Sequence, residues 1–387
     1  MGLHFTLLTI GCLLLVGLLA DEIGRRTMVP RVTLLILSGV VAGPSGLDIL
    51  PREFADWYEV LATIALTMVA FLLGGILSAQ NMRANGKQIL AISLSVVVTT
   101  TVVVAGGLMT IGVTAPLALL LAGIATATAP AATQDVVRQT KAKGTFTTTL
   151  LGIVAVDDAW GLIVFSFLLV AAKALLGGSG FLLLEDGLRE IAYATLIGMA
   201  VGFPAAYLTG RLRPGEPMQS EAIGIVFVCA GLSTWLGASF LLAGMIAGAI
   251  VINFARHHER AFHEIEHIEW PFMVLFFVLA GASLEFDALQ YIGLVGFACL
   301  ILRFIARIFG GWIGAWLSSA PSVYGRWIGV ALMPQAGVAL GMALVASNHV
   351  PEFRETLLVV TIGTTVIFEI IGPVLTQTAL RRVGEIR

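Results

Sequence analysis

Gly152-Ile153-Val154-Ala155-Val156-Asp157-Asp158-Ala159-Trp160-Gly161-Leu162-Ile163 sits in an apolar run from Phe146 to Ala172, long enough to span a bilayer. A charged side chain near the bilayer centre costs roughly 2.5–3.5 kcal/mol on insertion scales. Asp157 and Asp158, side by side, must therefore face protein or water. Ionisable residues in such places mark ion or proton paths.

The surrounding composition agrees with a membrane setting. Of 387 residues, 58% are hydrophobic and only 12% charged, against about a quarter charged in an average soluble protein. No polar stretch is long enough for a separate soluble domain, so residues 1–387 are expected to form a single all-α polytopic membrane transport domain. The formal net charge of −2 argues against nucleic acid as a partner. Cys12, Cys229 and Cys299 fall in apolar spans without metal-ligand spacing and read as packing residues. Leu3–Ala20 has no Lys or Arg ahead of it and no A-x-A site, so it reads as a retained first helix. No Gly-rich nucleotide loop is present, and no cofactor is expected.

Spans of about 20 apolar residues cross the hydrocarbon core. Thirteen are expected, near 3–20, 29–46, 57–78, 88–111, 116–138, 146–172, 187–210, 219–236, 239–255, 267–285, 288–317, 323–346 and 355–380. The basic residues test this count. One alternating set of loops, including Arg25, Arg83, Arg138, Lys143, Arg256 and Arg381, holds 16 of the 22 Lys and Arg; the opposite set holds only 4. Cytoplasmic loops collect Lys and Arg, which puts the N-terminus outside and the C-terminus in the cytoplasm.

Two spans look broken. The fifth contains Thr126-Ala127-Thr128-Ala129-Pro130, and the twelfth Met333-Pro334-Gln335-Ala336-Gly337. Proline removes a backbone donor and clashes with the preceding turn, and in a membrane such breaks survive where they are buried or line a cavity. Each lies one span from ionisable membrane residues: Asp157 and Asp158 in the sixth, Arg303 and Arg307 in the eleventh. With the seventh span as a link, the breaks occupy corresponding places in two six-helix halves. That pattern points to a secondary transporter built from inverted repeats, with two broken, crossing helices.

The chemistry follows from the residue types. A desolvated carboxylate pair holds either a proton or a small cation, and hard cations take oxygen ligands. A broken helix offers free carbonyls and the hydroxyls of Thr126 and Thr128 beside them. Adjacent helical residues point about 100° apart, so one aspartate can bind the ion while the other pairs with a cation. Arg307 is the obvious partner, and an arginine keeps its own proton.

These residues resemble the monovalent cation:proton antiporter superfamily, in its bacterial sodium/proton, double-aspartate branch. Gly152–Ile163 is similar to that family's aspartate helix, Ala125–Pro130 to its first unwound helix, and Leu332–Leu340 to its second. Phe276–Leu284 and Leu37–Leu47 fit as well. The resemblance implies a homodimer in the inner membrane of a prokaryote, working in pH homeostasis. It implies a core of about 88–172 and 288–382 that moves against a dimerisation domain of about 1–78 and 219–285, with a linker helix near 187–210. By position it makes Asp158 the principal carboxylate for the cation (Na+, with K+ and Li+ as alternatives) and for H+. It makes Asp157 the partner of a basic residue in span eleven. Many members carry lysine where Arg307 stands, which bears on an electrogenic 2H+:1Na+ exchange.

Other ionisable residues have two readings each. Glu369 in span thirteen is expected to be a buried partner of Arg303 or Arg307. Asp135 and Arg138 either belong to an ion funnel or form a local i, i+3 pair, the latter preferred. His257, His258, His263 and His267 either sense cytoplasmic pH or belong to a solvated mixed-charge loop; His263 and His267 also have the spacing of a metal pair. Competing functions are a K+/H+ antiporter or potassium efflux system on the same scaffold, a receptor, and an intramembrane aspartyl protease. The last places its aspartates on separate helices, one after a glycine, and this sequence has no Gly-Asp dipeptide.

Overall fold

The computed structural model of the protein describes residues 3–27, 29–44, 46–50, 53–177, 181–209, 218–255, 258–282, 293–335 and 337–386. Among them are fifteen α-helices and no strand. In chain order these are α1 (Leu3–Arg26), α2 (Arg31–Ala42), α3 (Glu53–Gly74), α4 (Ala79–Thr110), α5 (Ala115–Ala125), α6 (Pro130–Thr140), α7 (Thr145–Leu175) and α8 (Phe181–Thr209). They continue with α9 (Met218–Trp235), α10 (Phe240–Phe254), α11 (His258–Ala282), α12 (Gly293–Leu317), α13 (Ser322–Ala331), α14 (Gly337–His349) and α15 (Arg354–Val383).

The helices are sided in reverse of a soluble protein's. On α4 the exposed stripe is Leu90, Leu94, Val98 and Val102, while the buried face carries Ser93 and Thr100 among aliphatics. On α12 the exposed residues include Phe297, Phe304, Phe309, Trp312 and Trp316, and the buried ones are Gly296, Arg303, Arg307, Gly310 and Gly314. A helix in water turns its apolar stripe inward. Large apolar groups outside with small and charged groups inside suit hydrocarbon as the solvent.

Eight segments among the described residues are long and apolar enough to cross a membrane, fewer than the thirteen expected. Three of the expected spans correspond to shorter apolar helices, Arg31–Ala42, Phe240–Phe254 and Val338–His349. A helix that is short or interrupted falls below the length a full crossing needs.

The chain divides into two compact units. The first comprises residues 1–26, 34–84 and 188–283. Its closest packing runs through glycine. Gly244 and Gly248, a Gly-x-x-x-Gly pair on α10, meet the carbonyls of Thr67 and Phe71 on α3. Gly39 meets the Val278 carbonyl on α11, and Gly281 returns the contact at Ile36. Side chains at these places would hold the backbones apart, which is why membrane helix interfaces favour small residues.

The second unit comprises residues 27–33, 85–187 and 284–387 and holds both interruptions. Its apolar core joins Val104 and Leu108 of α4, Leu120, Leu121 and Ile124 of α5, Phe165 and Leu169 of α7, Met342 of α14 and Leu357 of α15. Glycines again set the approach: Gly310 and Gly314 of α12 lie against Val96 and Ile92 of α4, and Gly372 of α15 lies against Pro334. The three cysteines are free thiols, Cys229 and Cys299 buried and Cys12 exposed.

Candidate ion-binding site

The fifth expected span is two helices, α5 and α6, separated by Thr126–Ala129. Pro130 opens α6 at its first position, where a missing N–H costs nothing, and so removes the donor that would have bonded Thr126. The twelfth is likewise α13 and α14, with Leu332, Met333, Pro334 and Gln335 non-helical between them. Gly337 begins α14. Each interruption leaves carbonyl groups without helical partners, deep inside the second unit.

Two arginines fill that need. Arg303 Nε donates to the Ala125 carbonyl at 3.0 Å, Nη2 to Ala127 at 2.9 Å, and Nη1 to Met333 at 3.0 Å. One side chain thus ties the first interruption to the second. Its guanidinium also lies 4.2 Å from the centre of the Phe368 ring, a cation–π contact. Arg307, wholly buried, donates Nη2 to the carbonyls of Ala125, Thr126 and Ala127. Its Nη1 donates to Asp157 Oδ2 at 3.4 Å. Four of the carbonyls expected to be open to a cation, those of Ala125, Thr126, Ala127 and Met333, therefore already accept from guanidinium groups.

Asp157 is buried to 1% exposure on α7. Its second oxygen, Oδ1, accepts from Ser93 Oγ of α4 at 2.6 Å. Asp158 follows on the same helix, and its side chain lies outside the described residues. Thr126 and Thr128 are both buried. The Thr126 hydroxyl donates to the Gly123 carbonyl at 2.7 Å. The Thr128 hydroxyl and the Gln335 Oε1 have no partner among the described residues.

Glu369 stands differently from expectation. It is buried on α15, yet no hydrogen bond or ion pair to its carboxylate occurs among the described residues, because both arginines direct their donors at carbonyls and Asp157. Asp135 takes a long-range partner that its sequence neighbourhood did not suggest. Arg31 Nε donates to both Asp135 oxygens, at 3.0 and 2.8 Å, and the Arg31 backbone N–H donates to Gln139 Oε1 at 2.8 Å. Asp135 faces inward on α6 while Arg138 lies at the edge of the buried face, so the buried carboxylate takes the cation that reaches it.

Of the histidines, His257 and the His258 side chain lie outside the described residues. His263 and His267 are exposed one turn apart on α11, with their Nε2 atoms 3.0 Å apart. His263 Nδ1 is 3.9 Å from Glu266. Among the described residues no group of three or more His, Cys, Asp or Glu side chains is placed to hold a metal.

Sequence reasoning missed Ser93, whose signal was faint: a hydroxyl seven residues before Thr100 on one face of an otherwise aliphatic helix. It also missed Glu385. Beyond the last helix, this carboxylate accepts from the backbone N–H groups of Phe146 and Thr147, at 2.8 and 2.7 Å, and from Thr147 Oγ1 at 2.6 Å. It caps the start of the aspartate helix, whose own N-cap position is Gly144.

The sequence matches the family described as "Sodium/hydrogen exchanger, transmembrane" over residues 10–382. It is 23% identical to the ammonium/H(+) antiporter subunit AmhT of Alkalihalophilus pseudofirmus across 345 residues, 87% of this chain and 83% of that one. It is 25% identical to a Na(+)/H(+) antiporter of Enterococcus hirae across 198 residues, half of each chain (50% and 51%). Its fold is similar to that of the sodium proton antiporter MjNhaP1 of Methanocaldococcus jannaschii. The TM-score to the structure at pH 8 is 0.72, at 19% identity, covering 99% of this chain and 100% of that one. The electron-microscopy structure gives 0.75 at 18% identity, covering 99% and 96%. The chain belongs to the sodium/hydrogen exchanger family, within the monovalent cation:proton antiporter superfamily, and is a multi-pass membrane antiporter rather than an enzyme.

Proposed function

We propose that the protein is a secondary active transporter that exchanges a monovalent cation, Na+ foremost, for protons by alternating access at Asp157 and Asp158. The observation that carries this reading is the buried Asp157 carboxylate, held by Ser93 and Arg307 beside two interrupted helices. An aspartate so fixed serves as an anchor. Asp158, adjacent on α7, is then the carboxylate that trades a proton for the cation, with the unpartnered Thr128 hydroxyl as a candidate ligand. Thirteen spans in inverted repeats, a homodimer, and an N-out, C-in orientation in a prokaryotic inner membrane complete the proposal. The alternation of basic loops supports the orientation.

A second reading has its own support. The relative matched over 87% of this chain is named for ammonium/H(+) antiport, so NH4+ joins K+ as an alternative cargo. Purified protein in proteoliposomes decides between them. Internal pH is followed after jumps of Na+, Li+, K+, NH4+ or choline, in vesicles with and without protein, with voltage clamped by potassium and valinomycin, or by a membrane-permeant lipophilic anion when K+ is the cargo. Na+-driven proton movement that Asp158→Asn abolishes, in protein that still folds, is the expected result. Wild-type kinetics in that variant would remove Asp158 from the mechanism, and movement with NH4+ or K+ alone would reassign the cation.

A further inference from the structure

The buried Glu369 is the ionisable group that the antiport scheme leaves without a task. It lies midway along α15, where a carboxylate without a counter-charge is strongly disfavoured. Among the described side chains, the charged residues on helices packed against α15 are otherwise engaged or distant along their helices; the side chain of Asp158 on α7 lies outside them. Arg303 and Arg307 serve the interruptions and Asp157, Asp135 pairs with Arg31, and Arg138, Lys173, Arg326 and His349 stand towards helix ends. Among the described residues, no ion pair reaches this carboxyl.

Two hydroxyls stand on the same helix face. Thr365 and Thr361 precede Glu369 by one and two turns, both buried, and neither hydroxyl has a partner among the described residues. Thr364, between them, bonds back to the Val360 carbonyl at 2.9 Å as a membrane threonine ordinarily does. Positions four residues apart are about 6 Å apart along a helix, a gap that one water bridges with two hydrogen bonds of about 2.8 Å each. Buried polar atoms without protein partners are where such waters sit.

We propose that Glu369 is a second proton-binding carboxyl of the transport cycle, with Thr361 and Thr365 holding the water that exchanges protons with it. In one state of the cycle the carboxylate takes a proton from the water beside Thr365, and in the other the carboxyl oxygen gives that proton up to water on the opposite side of the membrane, leaving a carboxylate again. This inference rests on the antiport reading. It supplies two protons per cation in a protein whose Arg307 keeps its own.

The test is the balance point of exchange in proteoliposomes at zero voltage, with Na+ as the probe, or K+ or NH4+ where Na+ moves no protons. Under a pH gradient of one unit, two protons per cation balance a cation gradient of about 100-fold, and one proton balances about tenfold. The wild type is expected near 100-fold and Glu369→Gln near tenfold. Thr361→Val with Thr365→Val is expected to slow exchange while leaving the balance point unchanged. A wild type that balances near tenfold overturns the inference without need of any variant, as does a folded Glu369→Gln that still balances near 100-fold. A wild type that exchanges no cation for protons removes the antiport reading itself, and this inference with it.

Discussion

At the scale of single residues, Arg303 and Arg307 do the most with the least room. Both are fully buried among glycines on α12, and between them they engage the carbonyls of Ala125, Thr126 and Ala127 at the first interruption and of Met333 at the second. Removing one member of a buried charged pair costs about 3–5 kcal/mol, because the other is stranded. Arg307→Ala is accordingly expected to lower thermal stability sharply, read as the midpoint of a thermal-shift or fluorescence melting curve in detergent. An unchanged midpoint would mean that Asp157 does not depend on it. The sequence shows both arginines, both aspartates and both prolines, since charge and proline are conspicuous inside apolar spans. It does not show Ser93, or that the guanidinium groups face carbonyls rather than Glu369. Those depend on which helices meet, and periodicity within one helix carries no such information.

At the scale of the helix, α7 is held at its start by a residue 238 positions away along the chain, Glu385. A helix N-terminus wants an acceptor for its first N–H groups, and an N-cap side chain is worth about 0.5–2 kcal/mol. Gly144 cannot supply one, and a Cβ there would run into Glu385. This predicts an unusual pattern. Glu385→Ala and Gly144→Asp should each destabilise the protein, the first by removing the cap and the second by collision and like charge. Together they should recover most of the loss, because the new aspartate occupies the vacated place. Additive losses in the double variant, measured by thermal unfolding, would show that Glu385 does not act as a cap. From sequence, Glu385 is an ordinary exposed-looking glutamate, so nothing marked it. The interruptions at 126–129 and 332–335 were legible because proline and threonine sit where a helix should continue.

At the scale of the whole molecule, the family resemblance read from the aspartate helix and the two interruptions is borne out by the match over residues 10–382. Orientation in the membrane is open to direct test. In a Cys12→Ser, Cys229→Ala, Cys299→Ala background, a single Lys143→Cys offers an exposed thiol between α6 and α7. A membrane-impermeant maleimide is expected to label it only when the cytoplasmic side is opened. Labelling from outside intact cells would reverse the N-out, C-in assignment drawn from the basic residues. That assignment came from loop composition alone, which sequence displays in full.

The engagement of the broken-helix carbonyls by two arginines has a consequence for how such a protein diversifies. Backbone oxygens cannot be replaced by mutation, and those of Ala125, Thr126, Ala127 and Met333 already face fixed positive charge, so under the proposed mechanism an arriving cation would be left chiefly to side chains such as those of Asp158 and Thr128. Cargo preference then becomes a trait that single codon changes can alter without disturbing the scaffold.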